Sequence, residues 1–310
     1  NLQGTYSNTS TDVTNTIVRC TMLLMPEFTC TPNGLGKAVI PVTGEDVDLS
    51  GIQSITIGTG TQNDELGINY TPSEGNATLN ITDDSNATES QEISKGKINI
   101  IPTDAETPIE SLNLNTPSLT VELGAGTYGT VEALTAKQTL IIGDGVTIEE
   151  LILNGGALEI AEGATNVAIG NIVVKDELGL KSAVAAGGAV KLGDYITIED
   201  PNGISVGNGK TVTLDLNGKT VIAQGDGFVA GAGTTLTLNA TDGGSLTAGE
   251  TVGNWVAVWA NGGTIIINGG TYHVGLDETD SNSCIYAKNG GNITINGGAF
   301  SHATASARRE

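Results

Sequence analysis

Ala260-Asn-Gly-Gly-Thr-Ile-Ile-Ile-Asn-Gly-Gly-Thr-Tyr272 returns 28 residues later as Lys288-Asn-Gly-Gly-Asn-Ile-Thr-Ile-Asn-Gly-Gly-Ala-Phe300. A repeat built from one short strand and glycine-rich turns describes a supersecondary unit stacked on copies of itself. The phrase extends upstream. Lys210–Asp215 aligns with Thr234–Asn239, then with Gly263–Asn268 and Gly291–Asn296, at offsets of 24, 29 and 28 residues. Unequal spacing around a fixed strand is what a coil with variable loops requires.

Each column of the alignment then has a role. Val212/Leu214, Leu236/Leu238, Ile265/Ile267 and Ile293/Ile295 alternate with other residues, so they share one face of their strands and form the core. The strands end on Asp215, Asn239, Asn268 and Asn296. Stacked side-chain amides there can hydrogen-bond from coil to coil. Gly218, Gly244, Gly270 and Gly298 follow, where a sharp corner needs a residue without Cβ. Val221, Leu246, Tyr272 and Phe300 then turn back inward.

This pattern resembles the parallel β-helix of the pectate-lyase-like superfamily. The segments NGGTIIINGGTY and CIYAKNGGNITINGGAF resemble, more narrowly, surface proteins of gut Bacteroides-type bacteria and structural proteins of their phages. The likeness is good over 184–300 and weaker over 112–174. It implies an all-β fold with a right-handed parallel solenoid, and an extracellular, cell-surface or virion-surface setting. Fibre-like proteins of this kind are often trimers, so the resemblance also implies a homo-oligomer.

Composition narrows the function classes. The 310 residues include 44 Gly and only 8 Pro, aromatics are 4%, and the core is therefore aliphatic. A net charge of −22 repels phosphate backbones and argues against nucleic-acid binding. No run approaches the ~20 apolar residues of a membrane span. Cys20 and Cys30 can pair locally in an oxidising compartment, whereas Cys284 aligns with Val256 and reads as a small apolar group. The chain begins at Asn1 without Met, and only Ser301–Glu310 follow the last strand. A further coil or another molecule is expected over that end, because a solenoid needs a cap.

Residues 1–110 read differently, as a β-rich attachment module. Asn1–Thr16 is polar, and Thr21–Met25 is a compact apolar cluster suited to a partner contact. Short strands at Gly36–Val42, Ile52–Ile57, Ala77–Ile81 and Ile98–Ile101 suggest a small β-sandwich. Pro102, Pro108 and Pro117 mark a joint. Narrow coils are expected over 111–175, where strands starting at Thr120, Thr139 and Ala157 repeat at offsets of 19 and 18. Asp176–Gly188 breaks the register as a short helix or loop, and wider coils fill 176–310.

Chemistry on such a fold belongs to loops and outer faces. The loop His273–Ser283 gathers His273, Asp277, Glu278 and Asp280. It is either a solvated acidic loop, a Ca²⁺ site, or an acid/base pair. Trp255, Trp259, Tyr272 and Tyr286 cluster in two neighbouring coils. Such rings stack on sugars, and with Asp277 they form the candidate glycan-binding set. The competing reading is packing, with Tyr286 aligned to Val258. Thr213, Thr237 and Thr294, beside Thr211, Thr235 and Thr264, form flat columns of an ice-binding kind, but Ile266 and Asn292 interrupt them.

The resemblance to lyases implies an Arg or Lys beside acidic Ca²⁺ ligands, and to hydrolases paired Asp residues on adjacent coils. Arg occurs only at Arg19, Arg308 and Arg309, and the Asp215 column is otherwise Asn, so these motifs do not carry over. No catalytic residue and no cofactor is assigned. The expected function is a non-enzymatic structural and attachment protein with a surface glycan or protein as partner. The alternative is a carbohydrate-binding or polysaccharide-degrading β-helix protein.

Overall fold

The structure is a computed structural model that describes residues 39–42, 46–58, 60–72, 78–83, 95–104, 107–135, 138–251, 253–275 and 282–303. The Asn1–Thr16 stretch, the Thr21–Met25 cluster, Cys20 and Cys30 lie outside the described residues. So does Asp277, with Glu278 and Asp280.

The first part of the chain makes two strands per turn. They are β1 (Val39–Pro41), β2 (Val47–Ser50), β3 (Ser54–Gly58), β4 (Glu65–Thr71), β5 (Thr78–Asp83) and β6 (Lys97–Pro102). There follow β7 (Ile109–Asn115), β8 (Thr120–Leu123), β9 (Gly126–Ala133), β10 (Thr139–Ile142), β11 (Val146–Leu153), β12 (Ala157–Ile160) and β13 (Ala168–Val174). Odd-numbered strands stack in one parallel sheet and even-numbered strands in a second. Their facing sides bury an aliphatic core from Leu49 to Leu158.

The sandwich expected before residue 110 is therefore corrected. A sandwich of hairpins would be antiparallel, but β1, β3, β5 and β7 pair in parallel. The solenoid already runs at Val39, and β5 pairs with β7 across the expected boundary. Long, unequal connections hid this period. Thr56 bonds Thr82 at a separation of 26, and Asn113 bonds Asn80 at 33. From β7 onward, Leu112 pairs with Val131 and Val131 with Leu151, which is the shorter spacing the sequence displays.

The break at Asp176 is a helix, α1 (Glu177–Ala186). The Asp176 carboxylate caps it by accepting the Gly179 N–H at 2.8 Å, and Gly187 ends it at φ +91°. Leu180, Ala183 and Val184 are fully buried. The helix packs on β12, where the second sheet stops. It fills the space in which that sheet would have continued.

Above α1 each turn has three strands. They are β14 (Gly188–Leu192), β15 (Ile196–Ile198), β16 (Ile204–Ser205), β17 (Thr211–Asp215), β18 (Thr220–Ala223), β19 (Phe228–Ala230) and β20 (Thr235–Asn239). The rest are β21 (Ser245–Ala248), β22 (Val256–Asn261), β23 (Thr264–Ile267), β24 (Thr271–Val274), β25 (Ser283–Lys288), β26 (Asn292–Ile295) and β27 (Ala299–His302). The first sheet continues through both cross-sections as twelve strands ending β14-β17-β20-β23-β26. The other two sides are the sheets β15-β18-β21-β24-β27 and β16-β19-β22-β25. At about 4.8 Å per strand the long sheet extends for roughly 50 Å. Among the described residues this is a parallel β-helix solenoid, all-β except for α1.

The register follows the repeat. Thr211, Thr235, Thr264 and Asn292 are successive partners. Val212, Leu214, Leu236, Leu238, Ile265 and Ile267 are fully buried. Val221, Leu246, Tyr272 and Phe300 stack on the second side. The two Asn-Gly-Gly triplets of the repeat are two corners of the coil. One leads from β22 into β23, and the other from β23 into β24.

Two alignments shift by one residue. Tyr286 pairs with Trp259 rather than Val258, and Cys284 consequently stands beside Ala257 rather than Val256. The corner after β25 has one residue more than the corner after β22, and Asn289 absorbs it at φ +55°. Cys284 is half-buried and free, as a small packed group. Among the described residues no helix is long and apolar enough to cross a membrane.

Candidate functional site

The outer face of the four-stranded sheet carries one column, Ser205, Val229, Trp259 and Tyr286. Alternation along β22 sends Val258 and Ala260 inward and leaves the Trp259 indole outside. The rings of Trp259 and Tyr286 lie 6.2 Å apart at 48°, within the range of tilted aromatic pairs. Tyr286 is 40% exposed and Trp259 is half-buried. The indole Nε1 of Trp259 is shielded from solvent and has no hydrogen-bond partner. An unmet buried donor costs about 1–3 kcal/mol.

The other members of the candidate set are placed differently. Trp255 stands at the corner before β22. Its Nε1 donates to the Thr251 carbonyl at 2.8 Å, and its backbone N–H donates to Asn282 Oδ1 at 2.7 Å. Asn282, itself buried, donates to the Gly275 carbonyl at 3.0 Å. Trp255 thus closes its own loop. Tyr272 is corrected from a binding to a packing residue. It is fully buried, donates to the Gly269 carbonyl at 2.9 Å and stacks on Phe300 at 5.3 Å. Of the four described residues of the set, the structure brings together the rings of Trp259 and Tyr286; Asp277 lies outside the described residues.

His273 faces outward on β24, its Nδ1 2.9 Å from Ser301 Oγ. Among the described residues no group of three or more His, Cys, Asp or Glu can hold a metal ion. The Ca²⁺ alternative for the His273–Ser283 loop depends on Asp277, Glu278 and Asp280, outside the described residues.

Asparagines that end the upper strands of the twelve-stranded sheet stack from coil to coil. Asn296 donates to Asn268 and Asn268 to Asn239, each at 2.8 Å. A second ladder, Asn289 to Asn261 at 2.7 Å, runs up the neighbouring corner. Asp215 leaves the ladder. It accepts the Thr241 hydroxyl at 2.6 Å, the Thr241 N–H at 3.0 Å and the Asn217 N–H at 2.9 Å. Sequence reasoning missed the ion pairs that join coils elsewhere. Lys97 reaches Glu65 and Glu122, and Lys181 lies 3.0 Å from Glu177 and 3.2 Å from Asp200. The Lys97 pairs and Lys181–Asp200 cross connections of different lengths, whereas Glu177–Lys181 is an i,i+4 pair within α1.

The Asp215 cluster makes a pH prediction. Desolvation, the largest single influence, pushes the carboxyl up, but the hydrogen bonds from Thr241 and Asn217 and the nearby Lys191 outweigh it. The folded value therefore lies below the ordinary 3.8. The charged form stabilises the corner above the unfolded value, and that contribution is lost as pH falls through the depressed folded value. In an NMR titration the amide shifts of Asn217 and Thr241 should move together with a midpoint below 3.8. A midpoint at or above 3.8 would contradict the geometry.

The fold and its outer face define an acidic parallel β-solenoid with an aromatic pair on one side. No family model matches the chain, and neither a curated protein nor a solved structure does.

Proposed function

We propose that this chain is a non-enzymatic structural and attachment protein of an exterior surface, of the cell-surface adhesin or virion-fibre type. One observation carries this reading. The twelve-stranded ladder runs unbroken from Val39 to Ile295, and along its upper strands Asn239, Asn268 and Asn296 bond from coil to coil. Such a rod holds two ends a fixed distance apart. The resemblance to the pectate-lyase-like superfamily, and to surface and phage proteins within it, supports the same reading. The rod is the spacer, the N-terminal segment attaches it in a homo-oligomer, and an outer face meets a surface glycan or protein.

Trp259 and Tyr286 favour a second reading, glycan binding. Their rings offer a sugar an apolar face.

The test is the mass in solution, by light scattering, of the intact chain and of a chain lacking Asn1–Cys30. The expected result is a stable oligomer whose mass drops when the segment is removed. A mass unaffected by the deletion would sink attachment through that segment. It would bring glycan binding at Trp259 and Tyr286 forward.

A further inference from the structure

We propose that Asn208 is a modification site, the Asn-Gly pair of the described solenoid that deamidates first, spontaneously, to aspartate and isoaspartate. The reaction is internal. The Gly209 amide nitrogen attacks Cγ of Asn208 and a C–N bond forms. The Cγ–Nδ2 bond breaks, and ammonia leaves with the Gly209 amide proton. Water then opens the five-membered imide at either carbonyl. The net change is an amide exchanged for a carboxylate. Opening at the α-carbonyl also reroutes the main chain through the side-chain carbons. Such an attack needs a free asparagine side chain and a free glycine N–H, and glycine favours it because no Cβ blocks a close approach to its backbone.

Eight Asn-Gly pairs fall among the described residues, and the fold holds seven of them. Four stand at corners beside the twelve-stranded sheet. Asn289 donates to Asn261, while Asn268 and Asn296 belong to the ladder on Asn239. Gly262 and Gly297 are bonded as well, through N–H groups donated to the carbonyls of Lys288 and Ile267. Asn154 donates to Glu132 Oε1 at 2.6 Å. Asn202 donates to Asp200 Oδ1 at 3.1 Å, and the Gly203 N–H donates to the Asp200 carbonyl at 3.0 Å. Asn217 donates to the Leu192 carbonyl at 2.8 Å, and the Gly218 N–H donates to the Gly243 carbonyl at 3.0 Å.

Asn208-Gly209 is the exception. Among the described residues, neither the Asn208 side chain nor the Gly209 N–H has a hydrogen-bond partner. Asn208, Gly209 and Lys210 are all exposed. The pair fills the centre of a turn closed by the Lys210 N–H on the Gly207 carbonyl at 3.0 Å. Gly209 has φ +68°, and a Cβ there would meet nothing within 4 Å, so no neighbouring coil crowds the turn.

The position gives the change a consequence. The turn leads from β16 into β17, where the three-strand turns begin. A Cβ on Gly207 would meet the Ala185 carbonyl oxygen at 2.7 Å, so this turn is seated on the last turn of α1. Isoaspartate at 208 lengthens the main chain by a methylene beside the joint between the two cross-sections. Conversion also adds a negative charge there, and it accumulates with the age of the molecule. None of this depends on what the outer face binds.

The test is a time course on the intact chain in mildly alkaline buffer, once folded and once in guanidinium chloride. Peptide mapping by mass spectrometry, with fragmentation that separates aspartate from isoaspartate, reads each site. In the folded chain Asn208 should convert at least about tenfold faster than the other seven pairs, because each of those must first break one or two hydrogen bonds. In guanidinium chloride, with those bonds gone, the lead should collapse. Equal rates at Asn208 and at the ladder asparagines in the folded chain would overturn the proposal. So would a lead at Asn208 that persists undiminished in the denaturant, since local sequence and not the free turn would then set it.

Discussion

A chain carrying Leu180→Asp should unfold in two steps where the native chain unfolds in one. Leu180 is fully buried on the face of α1 that closes the two-strand solenoid. A carboxylate there would have no partner in an apolar site. Burying it belongs to the mechanisms that cost about 4–5 kcal/mol or more. The helix would leave its seat, and the effect would extend beyond it. Below α1 the turn has two strands and above it three, so of the three upper sides only the twelve-stranded sheet continues from below. With α1 displaced, the halves remain joined through β13 and β14, which pair at Ile172–Val190, Val173–Lys191 and Val174–Leu192. Solenoid stability is close to a sum of each repeat and its neighbour contacts, so weakening one contact uncouples what lies on either side. Calorimetry should resolve two transitions. Hydrogen exchange should assign them to strands before β13 and strands after β14. A single transition at the native midpoint would show that the helix does not couple the halves.

The sequence made the upper solenoid readable because three signals coincided there. The strands repeat in hydrophobic pattern, the corners repeat in Asn and Gly, and the offsets vary little between 24 and 29 residues. Before β7 the lower solenoid has the same pleat but lacks the corner signal. Between β5 and β7, and between β3 and β5, connections absorb many residues, and period-2 alternation alone does not distinguish a parallel coil from a sandwich. A more local cue was available. Tyr70 and Tyr128 are fully buried and bond the carbonyls of Ile52 and Ile100, much as Tyr272 bonds Gly269. All three are isolated tyrosines in aliphatic strands, each ending near a turn.

The candidate site was legible only in part, for a related reason. A strand reveals which residues share a face, but register between coils decides which residues touch. One extra corner residue, Asn289, moved Tyr286 from the Val258 position to that of Trp259. Two separate aromatics in the alignment thereby became a pair. Tyr272 moved the other way, since its column partner Phe300 already marked it as core.

Gly263→Ala should destabilise the chain strongly, whereas Gly231→Ala, at the same corner one coil below, should be nearly silent. A Cβ on Gly263 would collide with the main-chain carbonyl oxygen of Gly231 and with the Ala230 carbonyl, while a Cβ on Gly231 meets nothing within 4 Å. The obstacle is backbone held by the ladder beneath, so no side chain can swing aside. The coils must part at the corner. That strains the bonds Gly263 N–H to Ala230 O and Thr264 N–H to Thr234 O, at 3.2 and 2.9 Å. Overpacking of this kind costs about 3 kcal/mol at its upper range, and at Gly231 the change should stay within about 0.5 kcal/mol. Gly290 separates sterics from backbone conformation. It has φ +80° and open space around it, so Gly290→Ala should cost about 1–2 kcal/mol from the left-handed backbone alone. Urea unfolding of the three variants should give the order Gly263→Ala, Gly290→Ala, Gly231→Ala. Equal losses at Gly263 and Gly231 would mean that backbone contact between coils does not set the corner. The second glycine of Asn-Gly-Gly at this corner would then need another explanation.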